Sequence, residues 1–145
     1  MLNVGDSAPE FTVKSHQGAN VTLKEFRGKT VILYFYPKAD TPGCTAQGCG
    51  LRDRITKFED KNTVVLGVSF DTVGENKAFA EKYNFPFLLL CDTEKRMGLA
   101  YGAIKTGEDK YPSRIGYVID PNGKIKGAYP KVDAKAFPDQ MLAAL

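Results

Sequence analysis

A cysteine becomes a nucleophile as its thiolate, and this chain puts one where an anion is favoured. Cys44 follows the run Val31-Ile32-Leu33-Tyr34-Phe35-Tyr36, which is apolar, β-branched and aromatic and reads as a buried strand. Pro37 ends that run because it has no N–H to give a central strand. The polar turn Lys38-Ala39-Asp40-Thr41-Pro42-Gly43 follows, and Cys44 opens a helix predicted to continue through Cys49 to about Glu59. The first N–H groups of a helix lack partners within it, and its dipole is positive at that end. A thiolate suits that place, so Cys44 is read as a reactive thiol.

Cys49 lies five residues later. On one regular helix the two Cα atoms would stand roughly 8–9 Å apart and about 140° around the axis. A disulfide needs them within about 7 Å. If the two cysteines pair, the first turns of the helix must therefore unwind. Gly48 and Gly50 flank Cys49 and each weakens a helix by up to about 1 kcal/mol, which suits such a switch. The other reading of Cys49 is a small buried hydrophobe.

Other cysteine chemistries fit poorly. The spacing is not the C-x-x-C of a disulfide oxidoreductase. It matches the first half of a plant-type iron–sulfur site, but no C-x2-C completes it and the chain has only three cysteines. A zinc site would need Cys91 and the sole histidine, His16, to converge on the pair. Gly28-Lys29-Thr30 fails as a phosphate loop, because Leu23 stands where the first glycine belongs and a strand follows. Cys91, at the end of a short strand, reads as a small buried residue, with a second redox thiol as the alternative. His16 is expected on the surface.

The elements that must position Cys44 follow from periodicity. Phe11-Thr12-Val13 and Val21-Thr22-Leu23 flank the turn Ser15-His16-Gln17-Gly18 and predict a hairpin at the edge of the domain. Lys24 to Gly28 is a single helical turn stopped by glycine. Leu51, Ile55 and Phe58 give the cysteine helix a core-facing stripe. Thr63 to Phe70 is a second central strand, Gly74 to Tyr83 a helix, Phe87 to Cys91 a third strand and Glu94 to Tyr101 a short helix. Arg114 to Ile119 and Lys124 to Ala128 are strands joined by the turn Asp120-Pro121-Asn122-Gly123. An amphipathic helix is expected from about Asp133 to Leu145. Strands alternating with helices and ending in a hairpin predict a mixed sheet with helices on both faces, a thioredoxin-like α/β fold.

Composition limits the function classes. The 145 residues suit one domain, 1–145, able to bury roughly 68–70% of its extended surface. A net charge of +3 without a dense Lys/Arg cluster speaks against nucleic acid. No apolar run approaches the ~20 residues of a membrane span. The N-terminus lacks the features of a secretory signal, so a cytoplasmic protein with reduced thiols is expected.

Pro37-x-x-x-Thr41-x-x-Cys44 matches the P-x-x-x-T-x-x-C signature of peroxiredoxins. The wider segment YFYPKADTPGCTAQGCGLRD resembles their bacterioferritin-comigratory protein, or peroxiredoxin Q, branch. Val4-Gly5-Asp6-x-Ala8-Pro9-x-Phe11 is similar to that family's opening, and Arg114-x-x-Tyr117-Val118-Ile119-Asp120 to its late arginine strand. The chain departs from the family at Gly116, where a hydroxyl residue is common, and at Tyr117, where phenylalanine is usual. The resemblance implies a thiol-dependent peroxidase needing no metal, haem or flavin. It makes Cys44 the peroxidatic cysteine, Cys49 the resolving one and Thr41 and Arg114 their polar partners. Pro37 would shield the peroxide pocket. The N–H groups of Gly43 and Cys44 could donate within the same turn. Peroxide would convert Cys44 to sulfenic acid, Cys49 would condense with it, and thioredoxin or a glutaredoxin-like protein would reduce the disulfide. A monomer is implied. Two alternatives stand beside this reading: a redox-switched binding or holdase protein, and a thioredoxin-like disulfide reductase.

Overall fold

β-Branched and aromatic runs form the centre of the sheet in the computed structural model, which describes residues 1–145. The central strands β3 (Thr30–Phe35) and β4 (Thr63–Ser69) are parallel, with Val31 opposite Val64 and Phe35 opposite Val68. Every β3 residue after Thr30 is buried, as a strand covered on both faces requires. On one side of β3–β4 lies β5 (Leu88–Cys91), parallel to β4, then the hairpin β1 (Thr12–Ser15) and β2 (Asn20–Thr22). On the other lie β6 (Ile115–Ile119), antiparallel to β3, and β7 (Ile125–Tyr129), antiparallel to β6. The seven strands run β2-β1-β5-β4-β3-β6-β7, so the N-terminal hairpin joins the main sheet through β1 and β5.

Alternation along β3 divides the core. Val31, Leu33 and Phe35 face Met97 and Tyr101, below the short helix α4 (Arg96–Ala100). Ile32 and Tyr34 face the other layer, built by α1 (Pro42–Asp53), α2 (Ile55–Glu59), α3 (Val73–Tyr83) and α5 (Phe137–Ala143). The expected helices on both faces are present. No helix is long and apolar enough to cross a membrane.

Three helix boundaries differ from expectation. The cysteine helix begins at Pro42, whose missing N–H and fixed φ suit the first helical position. It ends at Asp53, because Arg54 at φ −114° and ψ 11° breaks it before α2. Leu51, Ile55 and Phe58 still reach one core across the break. The last helix starts at Phe137 instead of Asp133.

His16 corrects the sequence reading more sharply. It is 7% exposed, its Nδ1 accepts the Leu89 N–H at 3.1 Å, and its own N–H donates to the Leu89 carbonyl at 2.8 Å. Burial lowers its pKa below the ordinary 6.5, and the Glu81 carboxylate opposes this only in part. On acidification the unfolded chain takes up this proton before the folded one does, so stability falls as pH drops below about 6.5. Urea midpoints should therefore be lower at pH 5.5 than at 7.5, and His16→Gln should remove part of that difference.

Candidate active site

The turn that delivers Cys44 is held from several sides. Asp71, just past β4, accepts the Ala39 N–H at 2.8 Å, and its carboxylate lies 3.9 Å from Lys38 Nζ. Asp40 adopts a left-handed φ of 58°, and its carboxylate accepts from Lys82 Nζ and from the Tyr83 hydroxyl on α3, each at 3.0 Å. Thr41 is the N-cap in extended backbone, and its carbonyl accepts the Thr45 N–H at 2.8 Å. Its hydroxyl donates back to the Lys38 carbonyl at 2.7 Å, closing the turn, and makes no hydrogen bond to Cys44. Pro37 is half-buried at the start of this turn.

Cys44 is the third residue of α1, 2% exposed among apolar side chains, with a free thiol. Arg114, immediately before β6, reaches it from the neighbouring strand. Its Nη2 donates to Cys44 Sγ at 3.3 Å and its Nη1 to Gln47 Oε1 at 2.6 Å. Arg114 forms no ion pair with a carboxylate, so its charge faces only the sulfur and a neutral amide. Gly43 makes the approach possible, since a Cβ there would lie 2.9 Å from Arg114 Nη2. Tyr34 lies fully buried near this sulfur. Burial first, and then the nearby Cys44, push its hydroxyl pKa up, so it stays neutral.

Cys44, Gly43 and Arg114 are thus brought together, while Cys49 is half-buried and unpaired on the same intact helix. The glycines beside Cys49 do more than weaken that helix. A Cβ on Gly48 would lie 2.4 Å from Phe85 Cζ, and one on Gly50 would lie 2.6 Å from Pro138 Cγ. Arg52 Nη1 donates to the Tyr83 carbonyl at 2.7 Å, and Arg54 Nε to Asp139 at 2.7 Å, tying α1 and its end to α3 and α5. Gly116, one of the departures noted above, faces Phe137, whose Cε1 would be 2.6 Å from a Cβ.

Cys91 is buried, and its sulfur accepts from Asn76 Nδ2 at 3.4 Å. Burial raises its pKa despite that hydrogen bond, which keeps it a thiol. The largest cleft, between β1 and α4, includes Cys91, Phe11, Met97 and Tyr101 but not Cys44. No group of three or more His, Cys, Asp or Glu side chains is placed to hold a metal ion.

Two polar residues escaped the sequence reading. Gln47 is fully buried against Arg114, and its place one helical turn after Cys44 was the available signal. Asn76, also fully buried, accepts the Tyr36 hydroxyl at 2.6 Å and ties α3 to β3 and β4. Nothing local distinguishes it from a surface asparagine.

Residues 4–128 match the AhpC/TSA family model. The chain is 42% identical over 137 residues to a putative peroxiredoxin bcp from Coxiella burnetii, covering 90% of each chain. It is 42% identical over 128 residues to a chloroplastic peroxiredoxin Q from Gentiana triflora, covering 88% of this chain but 59% of that longer protein. Among solved structures, peroxidoxin BcpB from Mycobacterium tuberculosis superposes with a TM-score of 0.91 at 28% identity, covering 99% of this chain and 96% of that one. A cysteine-to-serine variant of peroxiredoxin Q from Xylella fastidiosa gives 0.92 at 27%, covering 99% and 94%. With Cys44 beneath Arg114 at the start of α1, on a thioredoxin-like sheet, the chain belongs to the AhpC/TSA family, as a peroxiredoxin of the Q and bcp type.

Proposed function

We propose that this peroxiredoxin reduces hydrogen peroxide and organic hydroperoxides through a sulfenic acid on Cys44 and a Cys44–Cys49 disulfide. The observation that carries this reading is the Arg114 guanidinium 3.3 Å from Cys44 Sγ in the first turn of α1. A fixed cation and the helix N-terminus face the sulfur of the attacking group, and the same donors can take charge moving onto peroxide oxygen. The thiolate attacks one oxygen, the S–O bond forms as O–O breaks, and the departing oxygen leaves as water or alcohol after protonation. Sulfur loses the two electrons that the peroxide gains. Cys49 then attacks the sulfenic acid, expelling water and leaving a disulfide. A dithiol reductant such as thioredoxin or a glutaredoxin-like protein restores both thiols by exchange. The cycle suits a monomer in a reducing compartment such as the cytoplasm.

Because both cysteines lie on intact α1, the second step requires its early turns to open. The test is peptide mass mapping after one equivalent of hydrogen peroxide, with thiols trapped within seconds. A Cys44–Cys49 disulfide in near-full yield is expected. Cys49→Ser should instead hold Cys44 as sulfenic acid. Cys44 oxidised with Cys49 free in the unaltered chain would assign resolution to Cys91 or an external thiol, and no oxidation would refute the peroxidase reading.

A further inference from the structure

Gln47 has one end of its amide spent and the other idle. Its side chain is 0% exposed, and Oε1 accepts from Arg114 Nη1 at 2.6 Å. A guanidinium only donates, so this contact fixes which end of the amide is oxygen and which is nitrogen. The Nε2 group is left fully buried with no hydrogen-bond partner, and it is the only buried side-chain nitrogen or oxygen in the molecule so placed. Buried donors are ordinarily paired, so an orphan of this kind calls for an explanation. Its position supplies one. Gln47 follows Cys44 by three residues on α1, on the same helical face, and the guanidinium that holds its oxygen also touches Cys44 Sγ.

We propose that Gln47 is a catalytic residue, its Nε2 donating a hydrogen bond to the peroxide oxygen that becomes attached to Cys44 sulfur. This rests on the peroxidase reading above. As the S–O bond forms and O–O breaks, Nε2 gives a hydrogen bond and no proton; the departing oxygen is protonated from water. In the resting, reduced protein there is no oxygen to accept from it, so the donor stands unpaired. Arg114 and Gln47 then form one donor set around the reacting atoms, with the amide oxygen orienting the guanidinium and the amide nitrogen meeting the substrate.

The experiment compares two reactions of Cys44 in the full chain: oxidation by hydrogen peroxide and alkylation by iodoacetamide. Both need the thiolate, but only the first brings an oxygen to the sulfur. Gln47→Met should lower the ratio of the peroxide rate to the alkylation rate by about tenfold to a hundredfold, on the scale of a lost oxyanion donor. Gln47→Glu keeps an acceptor for Arg114 and loses the donor, so the same ratio should fall there, and this variant serves if Gln47→Met does not fold. Peroxide and alkylation rates falling in parallel would overturn the proposal, because Gln47 would then act only on the thiolate through Arg114. An unchanged ratio would overturn it equally. Unaltered protein that alkylates at Cys44 but ignores peroxide would refute the peroxidase reading itself, a result distinct from either.

Discussion

Arg114→Met should slow oxidation of Cys44 by hydrogen peroxide by about two to three orders of magnitude, the range seen when a preorganised transition-state donor is removed. The side chain makes two contacts that methionine cannot, to Cys44 Sγ at 3.3 Å and to Gln47 Oε1 at 2.6 Å. Its charge is not shared with any carboxylate, so deletion removes the only side-chain cation in contact with the sulfur. Arg114→Lys separates charge from geometry. An ammonium keeps the charge but lacks the planar fork that serves sulfur and amide together, so an intermediate rate is expected. Arg114 is half-exposed and lies outside β6, so circular dichroism should report an unchanged fold in both variants. Competition against a second peroxide scavenger gives the rates. Near-native oxidation of Arg114→Met would mean that the helix N-terminus alone activates Cys44.

What could be read from the sequence was whatever rests on short-range pattern. β3 and β4 announced themselves as apolar runs, and Pro42, Thr41 and Cys44 lie within one turn of each other. Arg114 came from resemblance alone. Seventy positions separate it from Cys44, and only the pairing of β6 beside β3 brings it there. Gln47 was missed although its spacing was plain, because a glutamine on a helix is usually solvated and only its distant partner just before β6 shows otherwise. His16 was misplaced for a similar reason. A polar residue in a hairpin turn is normally exposed, but β1 pairs with β5 and carries the turn against Leu89.

The glycines beside Cys49 show how a correct local argument can be incomplete. Gly48 and Gly50 lower helix propensity, as their type dictates. They also let Phe85 and Pro138 approach α1 more closely than any Cβ would allow. Opening α1 for the disulfide must therefore undo packing and the Arg52–Tyr83 contact as well as helical hydrogen bonds. The balance between these contacts and the weak helix sets how long a sulfenic acid on Cys44 waits for Cys49, and hence its exposure to a second peroxide.

Phe137→Ala tests the same balance through stability and should lower it by about 3–5 kcal/mol, the usual cost of emptying a buried phenylalanine site. Phe137 is 0% exposed, its ring centroid lies 5.6 Å from that of Tyr34, and its edge occupies the space that Gly116 leaves open. The helix it begins, α5, has only seven residues, too few to be stable without packing. Alanine would therefore loosen the whole element, including Pro138 against Gly50 and Asp139 on Arg54. A loss of this size is a large part of the ~5–15 kcal/mol that holds a domain together, and the urea midpoint should fall accordingly. With α1 released from α5, closure of the Cys44–Cys49 disulfide after peroxide should be faster than in the unaltered chain. A destabilisation below about 1 kcal/mol would show that α5 contributes little to the core, contrary to the packing seen at Tyr34 and Gly116. A large loss of stability with unchanged closure would place the restraint on α1 at Phe85 and Arg52, on the side of α3.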